Sequence, residues 1–447
     1  MEKETEDGMK NIENTTEEKG KKSGGKKWRL PYWAMAVIIG VSAFLAGGLT
    51  VWFSLDKETR ALISLKNLIQ KAYYEEITDG QFYDAIFSAV NDGLLDPYSR
   101  YMTADEYKDA QSEKKGEKSG IGILFVTQNA QGEKQLYVQG VCGNSPAEEA
   151  GIEEGMYFVG FGKTETEIEN SVDFTVFSDF LASLETEEFF YVRVQTSSGE
   201  KIIRLCKKEY VENYVFYRTK DTAYRFTGKD ATEPTEGGRA LACLDEDTAY
   251  IRLSQFTGNA AEQFAAAMKI FQTQGKKNLV LDLCANGGGY LSIMQDIASY
   301  FCKGAENRKP LVAVADYGEK TEKFKATGAK FEEYFSSDSK ICVLADNGTA
   351  SASECLIGCM LDYGATSYEN IALMERSGVA KTYGKGIMQT TYPLLFNGAV
   401  RLTTARILWP ISGNCIHGRG ILPEDGAVKI EESSKEEELF SAMQCLF

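Results

Sequence analysis

The chain has 447 residues, a length that accommodates two or three compact domains, and 43% of its residues are hydrophobic, which is enough to build their cores. Its formal net charge is −16. This balance excludes nucleic acid as a partner, because no basic surface is available to displace counterions from phosphates. The ten cysteines have irregular spacing and form no metal-ligand cluster. We therefore expect neither a metal nor another cofactor, and we interpret most cysteines as small buried side chains.

An uncharged apolar segment occupies residues 30–55 and is long enough to span a bilayer. Trp33 and Trp52 lie near its ends, where aromatic side chains favour the membrane interface. The polar residues 1–29 predict a disordered tail, and six Lys and Arg side chains lie between positions 19 and 29. The positive-inside rule then predicts a membrane anchor with a cytoplasmic N-terminus and everything after Leu55 extracellular. A cleaved signal peptide is the alternative, but its apolar region would be shorter, about 7–15 residues.

Residues 56–112 form the next region, and their pattern predicts a helical segment. Apolar residues recur at helical spacing in 61–69 and again in 82–90. Asp96-Pro-Tyr-Ser99 then interrupts the pattern as a turn. The sequence leaves open whether the chain forms a homodimer through this region.

Short runs of β-branched and aromatic residues predict that 113–207 is a β-rich domain. Residues 145–151 predict a short helix inside it, with Ser145 as N-cap, Pro at the first position and Gly at the end. The predicted strands are Ile121–Val126, Leu136–Val141, Tyr157–Phe161 and Phe190–Val194.

A glycine-containing loop, Gly120, Ile121, Gly122 and Ile123, lies at the start of this domain. Such a loop turns its N–H groups toward a chain-end carboxylate, while the neighbouring strand edge adds the peptide as an extra strand. Together with Asn144–Met156, it resembles the carboxylate-binding loop and helix of a PDZ domain. The resemblance implies that 113–207 binds the C-terminal ends of proteins.

From residue 208 to about 430, strands alternate with helices, which predicts an α/β domain with a mostly parallel sheet. A C-terminal helix is expected at 431–447. Active sites in parallel sheets usually lie at the carboxyl ends of the strands. Two segments are expected there, Asn286–Gly289 and Asn347–Ser351. The predicted strands are Thr248–Leu253, Asn278–Leu283 and Lys340–Ala345, and the predicted helices are Ala260–Gln274 and Tyr290–Phe301.

Ser351 and Lys385 are the strongest candidates for catalysis. A serine nucleophile normally uses an imidazole as its base, but the chain holds one histidine, His417, so a lysine base becomes the leading alternative. A lysine accepts a proton near neutral pH only when burial lowers its pKa. Gln389 would hold the amine of Lys385 without adding a charge.

Other residues compete for these roles. Ser353 is the rival nucleophile and Lys381 the rival base, while His417 would serve a Ser/His or Cys/His mechanism but is more typical of a structural histidine. Asp282 is a candidate acid, although it more readily caps the end of its strand. Glu354 is expected to begin a helix, where a negative charge is favourable.

These segments resemble the C-terminal processing peptidases, also called tail-specific proteases, which are serine peptidases with a Ser/Lys dyad and an embedded PDZ domain. The resemblance implies that Ser351 is the nucleophile, Lys385 the general base and Gln389 the residue that orients Lys385. The N–H groups of Ala352 and of Gly288, or Gly289, would form the oxyanion hole. The motifs that carry the resemblance are Asp96–Thr103, Tyr250–Phe256, Leu281–Gly289, Leu402–Arg406 and His417–Ile421.

The chain departs from the family pattern at three places. Lys385 follows Ser351 by 34 residues, a longer separation than the family usually has, and we expect the extra residues in a surface loop at 367–376. Cys284 stands where the family usually has arginine, and Gly287 where it often has proline.

The sequence therefore predicts a multidomain α/β chain with an N-terminal transmembrane helix, a helical segment, a β-rich PDZ domain and an α/β serine protease core of the tail-specific type. We expect a membrane-anchored extracytoplasmic endopeptidase whose PDZ domain captures proteins or peptides with apolar C-termini. The alternative is a catalytically inactive scaffold that binds such tails without cleaving them.

Overall fold

The computed structural model describes residues 31–446 except 116, 129–131, 154, 197, 229 and 396–397. The tail expected at 1–29 lies outside these residues. The chain divides into two compact units, the first ending at Tyr83 and the second beginning at Asp84.

The helices follow in chain order. They are α1 (Tyr32–Ser54), α2 (Lys57–Ala72), α3 (Asp79–Ala89), α4 (Ala104–Lys114), α5 (Pro146–Glu149), α6 (Phe174–Ala182), α7 (Ala260–Thr273), α8 (Leu291–Ala298), α9 (Phe331–Tyr334), α10 (Ala352–Asp362) and α11 (Lys435–Leu446), with short 3₁₀ turns at Val90–Asp92, Tyr368–Asn370 and Pro423–Asp425.

The strands follow in the same way. They are β1 (Arg100–Met102), β2 (Glu117–Gly120), β3 (Ile123–Gln128), β4 (Lys134–Val141), β5 (Tyr157–Gly162), β6 (Glu169–Asn170), β7 (Phe189–Thr196), β8 (Gly199–Cys206), β9 (Lys208–Val211), β10 (Val215–Arg218), β11 (Ala223–Thr227), β12 (Glu233–Glu236), β13 (Thr248–Leu253), β14 (Asn278–Asp282), β15 (Leu311–Asp316), β16 (Thr321–Lys325), β17 (Ile341–Ala345), β18 (Ile371–Met374), β19 (Ile387–Pro393), β20 (Ala399–Leu408) and β21 (Val428–Ile430).

Helix α1 dominates the first unit. It has 23 residues, and an 18-residue window within it has a mean hydropathy of 2.1. All 23 residues are described and none is buried. At 1.5 Å per residue it extends about 34 Å, which exceeds the hydrocarbon thickness of about 30 Å. The helix is thus long and apolar enough to cross a membrane.

A small β-sheet with its own core forms from the residues between β3 and β8. Its strand order is β3-β4-β5-β7-β8, with β6 paired to β5, and β3 lies at its edge. Helix α6 packs beside that edge, because Phe125 of β3 contacts Phe174 and Phe177 at ring-centroid distances of 6.2 and 5.8 Å. The short helix predicted at 145–151 is confirmed as α5, and its N-cap Ser145 accepts a hydrogen bond from the Glu148 N–H.

The largest sheet has the strand order β12-β11-β10-β13-β14-β17-β18-β21. From β13 to β21 neighbouring strands are parallel, whereas β10, β11 and β12 add an antiparallel extension. Alternate residues of β14 enter two different cores: Leu279 and Leu281 pack with α7, α8 and α10, and Val280 packs on the opposite face with α11. Burial on both faces explains why β17 and the three central residues of β14 are apolar. The mixed α/β architecture predicted from the sequence is confirmed.

A second, antiparallel sheet has the order β1-β20-β15-β16, with β19 paired to β20. Its strand β1 lies inside residues 56–112, where the sequence predicts only helices. Tyr101 and Met102 are buried there, and β1 pairs with β20. A strand of three residues is too short to show the alternating pattern that predicts a strand. The expectation of a surface loop at 367–376 is also wrong for Ile371–Met374, which form the fully buried β18.

Candidate active site

Ser351 lies in the turn that joins β17 to α10. The carboxylate of Asp346 holds this turn, because its Oδ1 accepts hydrogen bonds from the N–H groups of Gly348 (2.9 Å) and Ala285 (2.8 Å). Ser351 has φ +59°, in the left-handed region that residues with a β-carbon seldom adopt. Such backbone strain is typical of functional positions, where the surrounding contacts determine the conformation.

The glycine-rich turn after β14 lies beside the Ser351 turn. Asn286 is fully buried; its amide donates to the Leu253 carbonyl (2.8 Å) and its side-chain oxygen accepts from the Gly288 N–H (2.9 Å). The N–H of Phe256 donates to the Gly288 carbonyl at 2.9 Å. Since the C=O and N–H of a trans peptide point in opposite directions, the N–H of Gly289 points away from Phe256.

Gly288 is in direct contact with the nucleophile turn. A β-carbon added at this position, where φ is +96°, would lie 2.7 Å from Ser351 Cβ and 2.8 Å from the Ala352 nitrogen. Its N–H is occupied by Asn286, whereas the N–H groups of Gly289 and Ala352 have no acceptor among the described residues. Of the two glycines expected as oxyanion donors, Gly289 is therefore the one with a free N–H.

Lys385 is tied to the Ser351 turn through the carboxylate of Glu354. One carboxylate oxygen, Oε2, accepts hydrogen bonds from the N–H groups of both Ser351 (3.0 Å) and Lys385 (2.8 Å). The other, Oε1, accepts from Thr382 Oγ1 (2.6 Å) and the Gly384 N–H (2.7 Å). Because both hydrogen bonds end on the same oxygen, the distance between the backbone nitrogens of Ser351 and Lys385 cannot exceed the sum of the two bond lengths.

A cavity of about 430 Å³ brings the expected catalytic residues together. Ser351, Lys385 and Gln389 line it, as do the backbones of Ala352, Gly288 and Gly289. The rest of the wall combines the polar side chains of Gln255, Thr257, Glu354 and Thr391 with apolar ones. It includes Leu291, Ile387, Met388, Ile407, Trp409 and Ile416, together with Arg401.

The surroundings of Lys385 favour its neutral form. Burial lowers the pKa of its amine, and the positive charge of Arg401 lowers it further, while Asp96 and Glu354 oppose this effect. Its Nζ lies 5.0 Å from the ring centre of Tyr98.

Gln389 lies on β19 and is held by a neighbouring strand. Its amide nitrogen donates to Thr403 Oγ1 on β20 at 3.2 Å. Thr403 in turn donates to Asp96 Oδ1 (3.2 Å), and its N–H donates to Ser99 Oγ (2.8 Å). The Asp96–Ser99 turn therefore supports the strand behind Gln389.

The loop expected to bind peptide ends is packed tightly against α5. The Ile121 carbonyl accepts from the Ala147 N–H (3.0 Å), and Gly122 has φ +75°. A β-carbon at Gly122 would lie 2.1 Å from Ser145 Cβ, so only glycine fits here. Gly120 ends β2, and Ile123 begins the edge strand β3.

The rival residues do not line the cavity. Ser353 is fully buried and donates to the Asn286 carbonyl (2.9 Å), and Lys381 Nζ donates to the Arg419 carbonyl (3.2 Å). His417 lies exposed on the surface. Asp282 caps its strand end, where its Oδ1 accepts from the Cys284 N–H at 2.8 Å.

Cys284 is a neutral thiol outside the cavity lining. Burial raises its pKa well above the usual value, and the nearby Asp282 and Asp346 carboxylates raise it further. All ten cysteines lie within the described residues and carry free thiols. Across the described part of the chain, no group of three or more His, Cys, Asp and Glu side chains is arranged to hold a metal ion.

Sequence reasoning missed two features of the site. Glu354 lies in the first turn of α10, as the sequence predicts, but its carboxylate also links the backbones of Ser351 and Lys385. The contact with Lys385 spans about 30 residues of chain, so no local pattern predicts it. Sequence reasoning also missed Arg401, whose place in the cavity depends on the pairing of β19 with β20.

Comparison with known proteins gives a family for the segment that carries this site. Residues 247–425 match the model of peptidase family S41. A probable CtpA-like serine protease of Staphylococcus haemolyticus is 25% identical over 422 residues, covering 91% of this chain and 75% of the relative. One of Staphylococcus epidermidis is 26% identical over 379 residues, which covers 83% of this chain and 66% of that relative's length.

Among solved structures, the photosystem II D1 C-terminal processing protease aligns with a TM-score of 0.47 and 22% identity, covering 87% of this chain and 95% of that protein. The family-matched segment contains Ser351, Lys385 and Gln389 together with both glycines of the turn after β14. The family match and the CtpA-like relatives indicate that the chain is a serine-type peptidase, and its residues 247–425 are the segment that matches peptidase family S41.

Proposed function

We propose that the chain cleaves protein substrates with Ser351 as nucleophile and Lys385 as general base. The observation that carries this proposal is the shared carboxylate of Glu354, which holds the backbones of both residues beside one cavity. Burial and Arg401 lower the pKa of Lys385, so that a neutral amine is available to accept a proton.

The first step transfers the Ser351 Oγ proton to the neutral amine of Lys385 as Oγ attacks the scissile carbonyl carbon. The negative charge that develops on the carbonyl oxygen is stabilised by the N–H groups of Ala352 and Gly289. The Lys385 ammonium then gives its proton to the leaving amine. In the second half, Lys385 takes a proton from water as the water oxygen attacks the carbonyl carbon of the acyl-enzyme. The resulting ammonium returns that proton to Ser351 Oγ as the ester bond breaks and the carboxylic acid product leaves. Gln389 orients the amine without adding a charge.

We also propose that 113–207 acts as a PDZ domain and captures apolar C-terminal ends. The free edge of β3 and the adjacent helix α6 support this, because an extended peptide pairs with a strand edge and lays its side chains against a neighbouring helix. Leu124 on β3 and Val176 on α6 are exposed apolar residues beside that edge. Helix α1 would anchor the chain with the peptidase outside the cytoplasm.

The mechanism is tested with the detergent-solubilised full-length chain and an unfolded substrate that has a free apolar C-terminus. Ser351→Ala and Lys385→Ala should each reduce kcat by about 10³-fold or more. Ser353→Ala and Lys381→Ala are matched controls and should retain activity. Cleavage that survives both dyad substitutions would reject the mechanism, and a wild-type chain that binds tails without cleaving them would indicate a scaffold.

A further inference from the structure

Arg401 is a half-buried cation in the wall of the catalytic cavity. No Asp or Glu oxygen of the described residues lies within 4.0 Å of its guanidinium, and none of them forms a hydrogen bond with its side chain. A partly buried charge is normally paired, because removing it from water costs free energy that a partner offsets. Arg401 therefore lacks an acidic partner within this part of the chain.

The two carboxylates that face Lys385 are already satisfied by other donors. Glu354 is 1% exposed and accepts four hydrogen bonds from its own surroundings. Asp96 accepts from the Tyr98 and Ser99 N–H groups, from the Ser99 hydroxyl and from Thr403 Oγ1. Neither carboxylate can turn to Arg401 without leaving several donors unpaired.

The pairing of β19 with β20 fixes where Arg401 lies relative to the dyad. Gln389 is opposite Thr403 and Thr391 is opposite Arg401. Residues two apart on a strand share a face and are separated by about 7 Å. Arg401 thus lies on the same face of the β19–β20 pair as Gln389, two residue pairs farther from Lys385, where a substrate extending along the cavity would pass.

We propose that Arg401 is a specificity residue that binds a carboxylate of the substrate close to the scissile bond. A guanidinium presents a planar fork of donors that matches a carboxylate in a bidentate geometry. The carboxylate would belong to an acidic side chain or to the substrate's own chain end, since both have the same chemistry. Apolar side chains such as those of Leu291, Ile407 and Trp409 line the same cavity, so the preferred substrate would combine apolar residues with one negative charge. This inference rests on the proposed function of Ser351 and Lys385.

The test compares short apolar peptides that differ in one group. The first carries a single glutamate and an amidated end, the second glutamine and an amidated end, and the third glutamine and a free chain end. Full-length wild type should cleave at least one of the charged peptides about tenfold better than the neutral one, as a charge-assisted hydrogen bond to a partly exposed group predicts. Arg401→Gln should remove this preference, and Arg401→Lys should retain part of it. Preference for the first peptide identifies a side-chain carboxylate, and preference for the third identifies a chain end.

Charge reversal gives a sharper outcome. Arg401→Glu should favour a peptide with lysine in place of the glutamate, a change that no merely structural role of Arg401 explains. Added salt should weaken the preference of the wild type, because ions screen a partly exposed pair.

Binding measured in the Ser351→Ala chain separates this proposal from the catalytic one. If Arg401→Gln lowers the affinity of Ser351→Ala for a charged peptide while no form of the chain cleaves anything, the carboxylate site stands and the proposed mechanism fails. If wild type cleaves all three peptides equally, the carboxylate site is rejected and the mechanism stands. The site is also rejected if Arg401→Gln slows all three peptides by the same factor and moves the acid limb of the pH profile, because Arg401 would then act only through the charge of Lys385.

Discussion

At the scale of single residues, the site depends on opposing charges around Lys385. Burial and Arg401 lower the pKa of its amine, while Asp96 and Glu354 raise it. The net direction is downward, which is the direction that a general base requires at neutral pH. The ring centre of Tyr98 lies 5.0 Å from Lys385 Nζ. The pKa of the Tyr98 hydroxyl is raised to about 12, so at neutral pH this side chain adds no formal charge.

The pH dependence of cleavage reports this balance. Under the proposed mechanism the neutral amine of Lys385 is the active form. Because its pKa is lowered from 10.5, kcat/KM should rise with pH along a titration curve whose midpoint lies below 10.5. With peptides that have no titratable groups, this rise of kcat/KM with pH, the acid limb of the profile, reports only groups of the enzyme. Lys385→Arg keeps the charge and most of the length but should be inactive at every pH, because a guanidinium does not lose its proton. Substantial activity of Lys385→Arg would exclude Lys385 as the base.

The same burial should make Lys385 costly for stability. Its pKa in the folded chain is lowered, so between that value and 10.5 the unfolded chain binds more protons, and stability rises with pH across this window. At neutral pH the penalty is present. Lys385→Met removes the charge and should therefore raise Tm by a few degrees at neutral pH while abolishing cleavage. A lower Tm for Lys385→Met than for wild type would contradict this account.

Glu354 provides a second test at the residue scale. Glu354→Gln removes acceptors shared by the Ser351 and Lys385 backbones, so we expect kcat to fall about 10²-fold, the effect of a displacement near 1 Å. Because the lost carboxylate also raises the pKa of Lys385, the acid limb of the remaining activity should move to lower pH. Ser353→Ala, one residue earlier on the same helix, is the control and should move neither quantity. If the acid limb of the pH profile of Glu354→Gln stays where it is in wild type, Glu354 affects cleavage through packing alone and not through its charge.

At the scale of elements, the site is assembled from two turns that follow neighbouring parallel strands. β14 and β17 run side by side, and each ends in a turn whose backbone meets the other. The two turns are in direct contact at Gly288, where an added β-carbon would lie 2.7 Å from Ser351 Cβ. This contact brings the Gly289 peptide next to Ala352, where two unpaired N–H groups are required for an oxyanion.

Two adjacent glycines of this turn allow a matched comparison. Gly288→Ala would place a carbon 2.8 Å from the Ala352 nitrogen, so it should reduce kcat by about 10²–10³-fold, as the loss of an oxyanion donor does. A β-carbon at Gly287 meets no heavy atom within 4 Å, and its φ is not in the left-handed region, so Gly287→Ala should change kcat by no more than about threefold. If both variants lose the same factor in kcat, a β-carbon anywhere in this turn is harmful, and the loss in Gly288→Ala would not report on the oxyanion donor of Ala352.

The sequence predicted elements whose pattern is determined locally. The central residues of the runs 278–283 and 340–345 are apolar because both faces are buried there, and the two runs form β14 and β17. Strands β1 and β10 were not predicted, because three or four residues give little periodicity and each pairs with a strand farther along the chain, β20 and β13 respectively. Strands β11 and β12 were also not predicted, although they pair with their neighbours in the chain. Ser351, Lys385 and Gln389 were placed by motif resemblance, whereas Arg401 becomes visible only through the β19–β20 register.

At the scale of the whole molecule, the chain combines an apolar helix with a peptidase fold. Helix α1 has no buried residue, in contrast to α10, in which most residues are buried. A helix of this length and composition is stable in a bilayer, where its backbone is fully hydrogen-bonded. For such a helix the positive-inside rule predicts that the six basic residues between positions 19 and 29 keep the N-terminus in the cytoplasm.

Orientation is the last prediction. In a bacterial host, a reporter enzyme that is active only outside the cytoplasm should be active when fused after Phe447, and a tag placed before Met1 should stay with the membrane fraction, protected from external protease. Replacing the six basic residues with glutamate should lower the reporter signal, because the charge difference that retains the N-terminus inside is lost. An unchanged signal together with loss of the N-terminal tag would instead indicate a cleaved signal peptide. The peptidase would then act away from the membrane, and substrates would reach its cavity without the confinement that an anchor imposes.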